Sequence, residues 1–133
     1  VRPLPAPVIE LLAARGKRPD GVLLSAFDHA QLQVALRDAP ALPRGALFGR
    51  LTDIDPVASA RAVAASTANL ALRTVTAERV TALRDAGLEV LVYTVNDVEE
   101  ALALRALGVR GVFTDRPREL LAGMGLSASA GRA

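Results

Sequence analysis

The chain has 133 residues, enough for one domain with a buried core, and 51% of them are apolar, chiefly Ala, Leu and Val, so that core is aliphatic. It has no Cys, which excludes disulfides and thiolate metal sites and leaves the compartment open with the cytoplasm favoured, and its single His excludes a His-rich metal site. Sixteen Lys and Arg dispersed among fourteen Asp and Glu leave a net charge of +2, the pattern of a solvated surface rather than a nucleic-acid footprint, and no apolar run approaches the ~20 residues of a membrane span.

Residues 1–7 are Pro-rich and read as extended. Their apolar stretch is too short for a signal peptide, and without an initiator Met the chain reads as a segment of something longer. Val8 to Arg15 predicts a helix with Val8, Leu11 and Leu12 on one face, closed by Gly16. A loop leads to a short buried strand, Val22–Ser25. Asp28 is then the N-cap of a helix from about His29 to Asp38, with Gln31 placed to complete a capping box and Leu32, Ala35 and Leu36 as its apolar stripe. Pro40 and Pro43 punctuate the return to a second strand, Ala46–Leu51, in which Gly49 either weakens the assignment or marks a close backbone approach. Asp55 followed by Pro56 opens a short helix, Val57–Ala65. Asn69–Leu72 is a weak strand. Thr76 caps a helix that runs to Gly87, with Val75 and Val80 at the staple positions and Val80 and Leu83 facing inward.

The stretch from Gly87 to Asp97 organises the rest. Gly87 suits the left-handed position that closes a helix. Val90, Leu91, Val92, Tyr93 and Val95 then form a near-continuous apolar run, the mark of a strand in a parallel sheet covered by helices. In such proteins ligands sit at the carboxyl ends of the strands, which singles out Tyr93, Thr94 and Asn96. Asp97 caps the next helix, with Glu100 at the box position, and this helix carries Ala101, Leu104 and Leu107 as far as Gly108. Gly111–Thr114 is the last strand, and Asp115-Arg-Pro117 opens a final helix to about Ala122. The domain therefore runs over residues 1–126, with 127–133 expected as a disordered tail. The repeated order of helix, Gly, apolar strand and Asp cap means right-handed βα units on a parallel sheet of about five strands. Such a sheet is either an open flavodoxin-like one or the later part of an eight-stranded barrel.

Three segments carry a resemblance. Ser25-Ala-Phe-Asp28 follows a strand, Tyr93-Thr-Val-Asn-Asp97 follows Gly87, and Leu107-Gly-Val-Arg-Gly-Val-Phe-Thr-Asp-Arg-Pro117 comes near the end. In this order and spacing they resemble the C-terminal half of the glycerophosphodiester phosphodiesterase family, over roughly Val8 to Leu121. The resemblance implies an α/β fold, a partial (β/α)8 TIM barrel, typically of ~250 residues when whole. It implies hydrolysis of a small-molecule glycerophosphodiester to an alcohol and glycerol 3-phosphate with a divalent cation, Ca²⁺ or Mg²⁺. The family's His-Arg-Gly, Glu-Asn-Thr, Glu-x-Asp, second His and Glu-x-Lys are expected in the other half, and none occurs in this sequence. No catalytic and no metal-binding residue is therefore assigned, and this chain alone is expected to be inactive. Position 93, usually Trp in the family, is Tyr here, which keeps an aromatic wall of different shape.

The substrate-binding candidates are Tyr93, Phe27, Ser25 and Asn96. Each has a plainer reading: Tyr93 and Phe27 as core filler, Ser25 and Thr94 as partners of local backbone, Asn96 as a turn residue. Arg50 and Arg73 could face a phosphate but read more simply as solvated. His29 reads as exposed surface and Asp115 as structural. Asp53 and Asp55 are close, but Asp55 with Pro56 already has a capping role, and Asp97 and Glu100 are equally well explained as a capping box. If the strands are part of a barrel, the inner Leu, Val and Phe side chains and two strand edges would meet water, so self-association is expected. The alternatives are a stand-alone, non-enzymatic α/β module that binds a ligand or a protein, and an inactive remnant of a phosphodiesterase.

Overall fold

The computed structural model describes residues 5–16 and 21–126. Its elements, in chain order, are α1 (Pro5–Ala14), β1 (Leu24–Ala26), α2 (His29–Asp38), β2 (Arg44–Phe48), α3 (Pro56–Ala62), β3 (Thr67–Ala71), a 3₁₀ turn (Leu72–Thr74), α4 (Ala77–Asp85), β4 (Glu89–Tyr93), α5 (Val98–Leu107), β5 (Gly111–Val112) and α6 (Pro117–Gly123). The five strands form one sheet in the order β1-β2-β3-β4-β5, and every neighbouring pair is parallel. An unbroken sequential order is that of a barrel wall. A flavodoxin-like sheet would bring its second strand outside the first, so the chain is a partial barrel.

Local chemistry sets most of the helix starts. Asp55 accepts from the N–H groups of Val57 and Ala58, with Pro56 in the first helical turn where its missing donor costs nothing. Thr76 accepts from Arg79 N, and Asp97 from Glu100 N. Asp28 accepts from Ala30 N, but the predicted box stays open: Gln31 turns inward and its Oε1 is buried without a partner. The N-terminal expectation is also corrected, because Pro5–Pro7 belong to α1 rather than to an extended segment. Proline is accommodated in a first turn. Residues 1–4 and the expected tail at 127–133 lie outside the described residues.

Strand β3, weak in sequence, is the centre of the sheet, and all five of its residues are buried. Strand β2 begins two residues before its predicted start and ends at Phe48, so Gly49 follows the strand instead of interrupting it. Ala46, Phe48, Ala68, Leu70, Val80, Leu83, Val90, Val92, Ala101 and Leu104 form one buried cluster between sheet and helices. Gly108, at φ 97°, closes α5 in the left-handed region and lets Arg84 pack across it.

The other face of the sheet is the concave, inner one. Alternation along the strands puts Ser25, Gly45, Leu47, Thr67, Asn69, Ala71, Glu89, Leu91, Tyr93 and Gly111 there. The expectation of an inner face rich in Leu, Val and Phe is therefore corrected. Phe48, Leu70, Val90 and Val92 face the helices, and apart from Leu47, Leu91 and Tyr93 the inner face is small or polar. At its centre Thr67 Oγ1 donates to Asn69 Oδ1 at 2.8 Å, and both residues are buried. The outer edges of β1 and β5 have no strand neighbour among the described residues. Beside the edge of β5 runs an apolar groove of about 570 Å³ lined by Val112, Leu120, Leu121 and Met124.

Candidate functional site

All five strands run the same way, so their carboxyl ends and the N-termini of α2 to α6 share one end of the sheet. Three of the chain's four aromatic residues gather there. Phe27 leaves the end of β1 on the inner face. Tyr93 is the last residue of β4, and Phe113 follows β5 in register beside it, its N–H bonded to Val92 O. Phe27 is 62% exposed and Phe113 45%.

Tyr93 does not point straight into the mouth. Its ring lies across the sheet, its hydroxyl donates to Phe48 O at 2.8 Å, and it meets Phe27 edge-on with centroids 5.9 Å apart at 85°. Ala71, in register with Tyr93 on β3, and Gly49, just past the end of β2, are small enough to let it pass. A Cβ on Gly49 would lie 3.5 Å from Phe27 Cε1 and 3.9 Å from the Tyr93 hydroxyl oxygen. Burial pushes the Tyr93 phenol above its ordinary value, and the nearby Arg73 guanidinium pulls the other way. The phenol therefore stays protonated near neutral pH and can keep donating. The Tyr93–Thr94 peptide is cis.

The four predicted binding residues do not converge. Phe27 and Tyr93 come together as one wall. Ser25 shares their face but lies one layer deeper, beside Gly45. Asn96 ties two loops: its Oδ1 accepts from Thr114 Oγ1 at 3.0 Å and Asp115 N at 2.9 Å, and its Nδ2 donates to Asp115 Oδ2 at 3.2 Å. Asp115 is thus held in the turn that precedes the last helix. Thr94 is exposed beside Arg73, Tyr93 and Glu100 around a hollow of about 740 Å³. Arg73 donates to Gly49 O at 2.8 Å, and Arg50 borders the neighbouring hollow with Phe27 and His29.

Sequence reasoning missed Phe113: it was read as part of the strand Gly111–Thr114, but β5 ends at Val112 and leaves it at the strand's carboxyl end. It also misplaced His29, which is half-buried, with Nε2 3.1 Å from Leu47 O and its ring edge-on to Phe48 at 5.0 Å. Among the described residues no group of three or more His, Cys, Asp or Glu could hold a metal ion. The acids near the strand ends have other partners: Asp28, Asp55 and Asp97 accept from helix N–H groups, and Asp115 from Asn96. These residues do not fit a divalent cation. What they can do is present an aromatic surface with arginines at its rim.

Comparison with known proteins places this geometry. Residues 6–119 match the sequence model of the glycerophosphoryl diester phosphodiesterase family. No match was found among curated protein sequences. Among solved structures, a protein of Silicibacter pomeroyi DSS-3 assigned to the glycerophosphoryl diester phosphodiesterases is 28% identical, with a TM-score of 0.79 over 92% of this chain and 44% of that one. A phosphodiesterase of Oleispira antarctica, solved with the product sn-glycerol-3-phosphate, is 23% identical with a TM-score of 0.80 over 90% of this chain and 48% of that one. A glycerophosphodiester phosphodiesterase of Thermotoga maritima is 18% identical with a TM-score of 0.69 over 88% and 52%. The chain thus spans about half the length of the solved structures it matches. With the family's pattern running through most of its length and the barrel-wall order in its strands, the chain belongs to the glycerophosphoryl diester phosphodiesterase family.

Proposed function

We propose that this chain supplies the substrate-facing wall of a glycerophosphodiester phosphodiesterase, which cleaves a glycerophosphodiester to an alcohol and glycerol 3-phosphate. The observation that carries this reading is the Phe27–Tyr93 pair at the carboxyl ends of a barrel wall, within a chain of that family. An exposed aromatic surface suits the CH-bearing part of a substrate, which it can cover at little entropic cost. A phosphodiester is anionic and resists water, so its hydrolysis needs charge neutralisation, a base and an acid. The ligands of the divalent cation implied by the resemblance, Ca²⁺ or Mg²⁺, and the acid–base groups are read as belonging to the family's other half and not to this chain. His29 is not offered as the base, because its Nε2 is spent on Leu47 O.

Two expected results test this. The purified 133-residue protein releases no glycerol 3-phosphate from glycerophosphocholine, with or without Ca²⁺ or Mg²⁺. In a complete enzyme carrying this wall, Tyr93→Ala raises KM by about tenfold, the worth of roughly 1.4 kcal/mol of contact. Turnover by the chain alone, or an unchanged KM, would count against the reading. Self-association remains part of the proposal. The free edges of β1 and β5 and the apolar groove beside β5 invite another strand, and sedimentation velocity at tens of micromolar reads this directly.

A second reading, the non-enzymatic ligand- or protein-binding module, is favoured by one observation. The inner face carries Ser25, Gly45, Thr67 and Glu89 where an opened barrel would expose larger apolar groups. A cooperatively melting monomer that shows no affinity for glycerol 3-phosphate would select it.

A further inference from the structure

Three successive carbonyls at the end of β2 are each met by a side chain from a different part of the chain. His29 Nε2, from the first turn of α2, lies 3.1 Å from Leu47 O. The Tyr93 hydroxyl, from the end of β4, donates to Phe48 O at 2.8 Å. Arg73 Nη2, from the turn after β3, donates to Gly49 O at 2.8 Å. A carbonyl can only accept, so the imidazole bonds as its Nε2–H form. The ring is seated a second time by its edge-on contact with Phe48. Carbonyls along a strand point alternately to either side. Pro43 O accepts from Leu24 N of β1 and Arg44 O from Ser66 N beside β3. By that alternation Leu47 O leans toward β1 and Phe48 O toward β3, the strand over which Tyr93 reaches.

An exposed strand end can satisfy its carbonyls with water, so three protein donors in a row are not required by solvation. Their common effect is geometric. Gly49 offers no side chain to hold, and a Cβ there would touch both rings of the wall. The side-chain bonds to the backbone under the wall run through its carbonyls. We propose that His29 and Arg73 are positioning residues: by fixing the peptide planes on either side of the Phe48 carbonyl, they fix the acceptor that holds Tyr93 and so set the angle of the Phe27–Tyr93 wall. Its bearing on substrate rests on the function proposed above; the clamp itself does not. Neither residue touches the reacting atoms.

The chain contains one Tyr and no Trp, so its tyrosine emission reports Tyr93 alone. Acrylamide quenching of that emission, run beside a thermal melt on the 133-residue protein, reads the clamp. His29→Ala and Arg73→Ala each raise the population of swung-out Tyr93 about fivefold, the equivalent of one ordinary hydrogen bond, and quenching rises accordingly. His29→Gln and Arg73→Lys retain a donor and stay near the parent protein, with all four melts cooperative. Unchanged quenching in both Ala variants overturns the proposal. So does a rise that the Gln and Lys variants share, because it would mark general loosening rather than loss of a donor. Saturation transfer between Tyr93 and glycerophosphocholine separately tests the wall as a substrate surface. Its failure would sink the functional reading while the quenching result still decides the clamp.

Discussion

Arg44→Ala is expected to lower stability by about 3–5 kcal/mol, a large part of what a domain of this kind possesses. Arg44 is the first residue of β2 and only 6% exposed. Its guanidinium is spent on backbone: Nε donates to Val63 O at 2.9 Å, Nη1 to Leu42 O at 2.6 Å and Pro40 O at 3.2 Å, and Nη2 to Ala64 O at 3.1 Å. The first two acceptors are in buried bonds and would be left unpaired, at about 1–3 kcal/mol each, while the others can reach water. Ala64 has φ 47°, a conformation unfavourable to a residue with a Cβ, and loses the bond that holds its carbonyl. Burial lowers the guanidinium's pKa, but arginine remains charged at any ordinary pH, so the loss should be nearly independent of pH around neutrality. Urea unfolding gives the value directly, and the melt should fall by roughly 10–20 °C. Arg44→Lys should recover less than half, since one ammonium cannot reproduce a planar fork. A loss below about 1 kcal/mol in the Ala variant would show that water replaces the guanidinium freely.

Gly45→Val should cost about 2–4 kcal/mol, although its backbone is unstrained, because the inner face at that point is already full. A Cβ on Gly45 would stand 2.7 Å from Thr67 Oγ1 and 3.1 Å from Asn69 Nδ2. Both residues are buried, and Thr67 Oγ1 is tied to Asn69 Oδ1, so neither side chain can shift without breaking that bond. The effect should be coupled. In a Thr67→Ala background, where the atom in the way is gone, Gly45→Ala should cost at least ~1 kcal/mol less than in the parent chain. Additive losses in that cycle would mean that the two residues do not share the space.

Where structure is decided within one helical turn, the sequence was legible. Asp28, Asp55, Thr76 and Asp97 were read as caps and accept the expected N–H groups, because an oxygen and a donor two or three residues apart need no tertiary help. The alternation of strands and helices also carried the class of fold. Strand β3 was hard to see because Thr-Ala-Asn-Leu-Ala has little preference for a strand, and burial between β2 and β4 supplies what its composition does not. The inner face was misjudged for a related reason: a run such as Val90–Tyr93 does not say which of its members face the helices. Of the candidate site, Phe27 and Tyr93 were named from their places at strand ends and meet in space. Their meeting depends on Gly49, just past β2, and Ala71, at the end of the adjacent β3, staying small. His29 and Arg73 could not be placed, since the carbonyls they meet lie 18 and 24 residues away along the chain.

The sequential strand order has a consequence for how the molecule forms and opens. Every strand pairs only with strands next to it in sequence, so no contact in the sheet requires a long loop to close first. The chain behaves nearly as a one-dimensional array, in which each βα unit adds to a neighbour already in place. The longest pairing is β3 with β4, over five residue pairs, against three for β1 with β2 and two for β4 with β5. Assembly can therefore begin in the middle and spread outward, and opening runs in reverse from the two ends. The end units that carry Phe27 and Phe113 are those with one neighbour each. Among the described residues the aromatic mouth thereby joins two kinds of segment: Phe27 and Phe113 follow strands with a single neighbour, whereas Tyr93 ends the strand in the longest pairing.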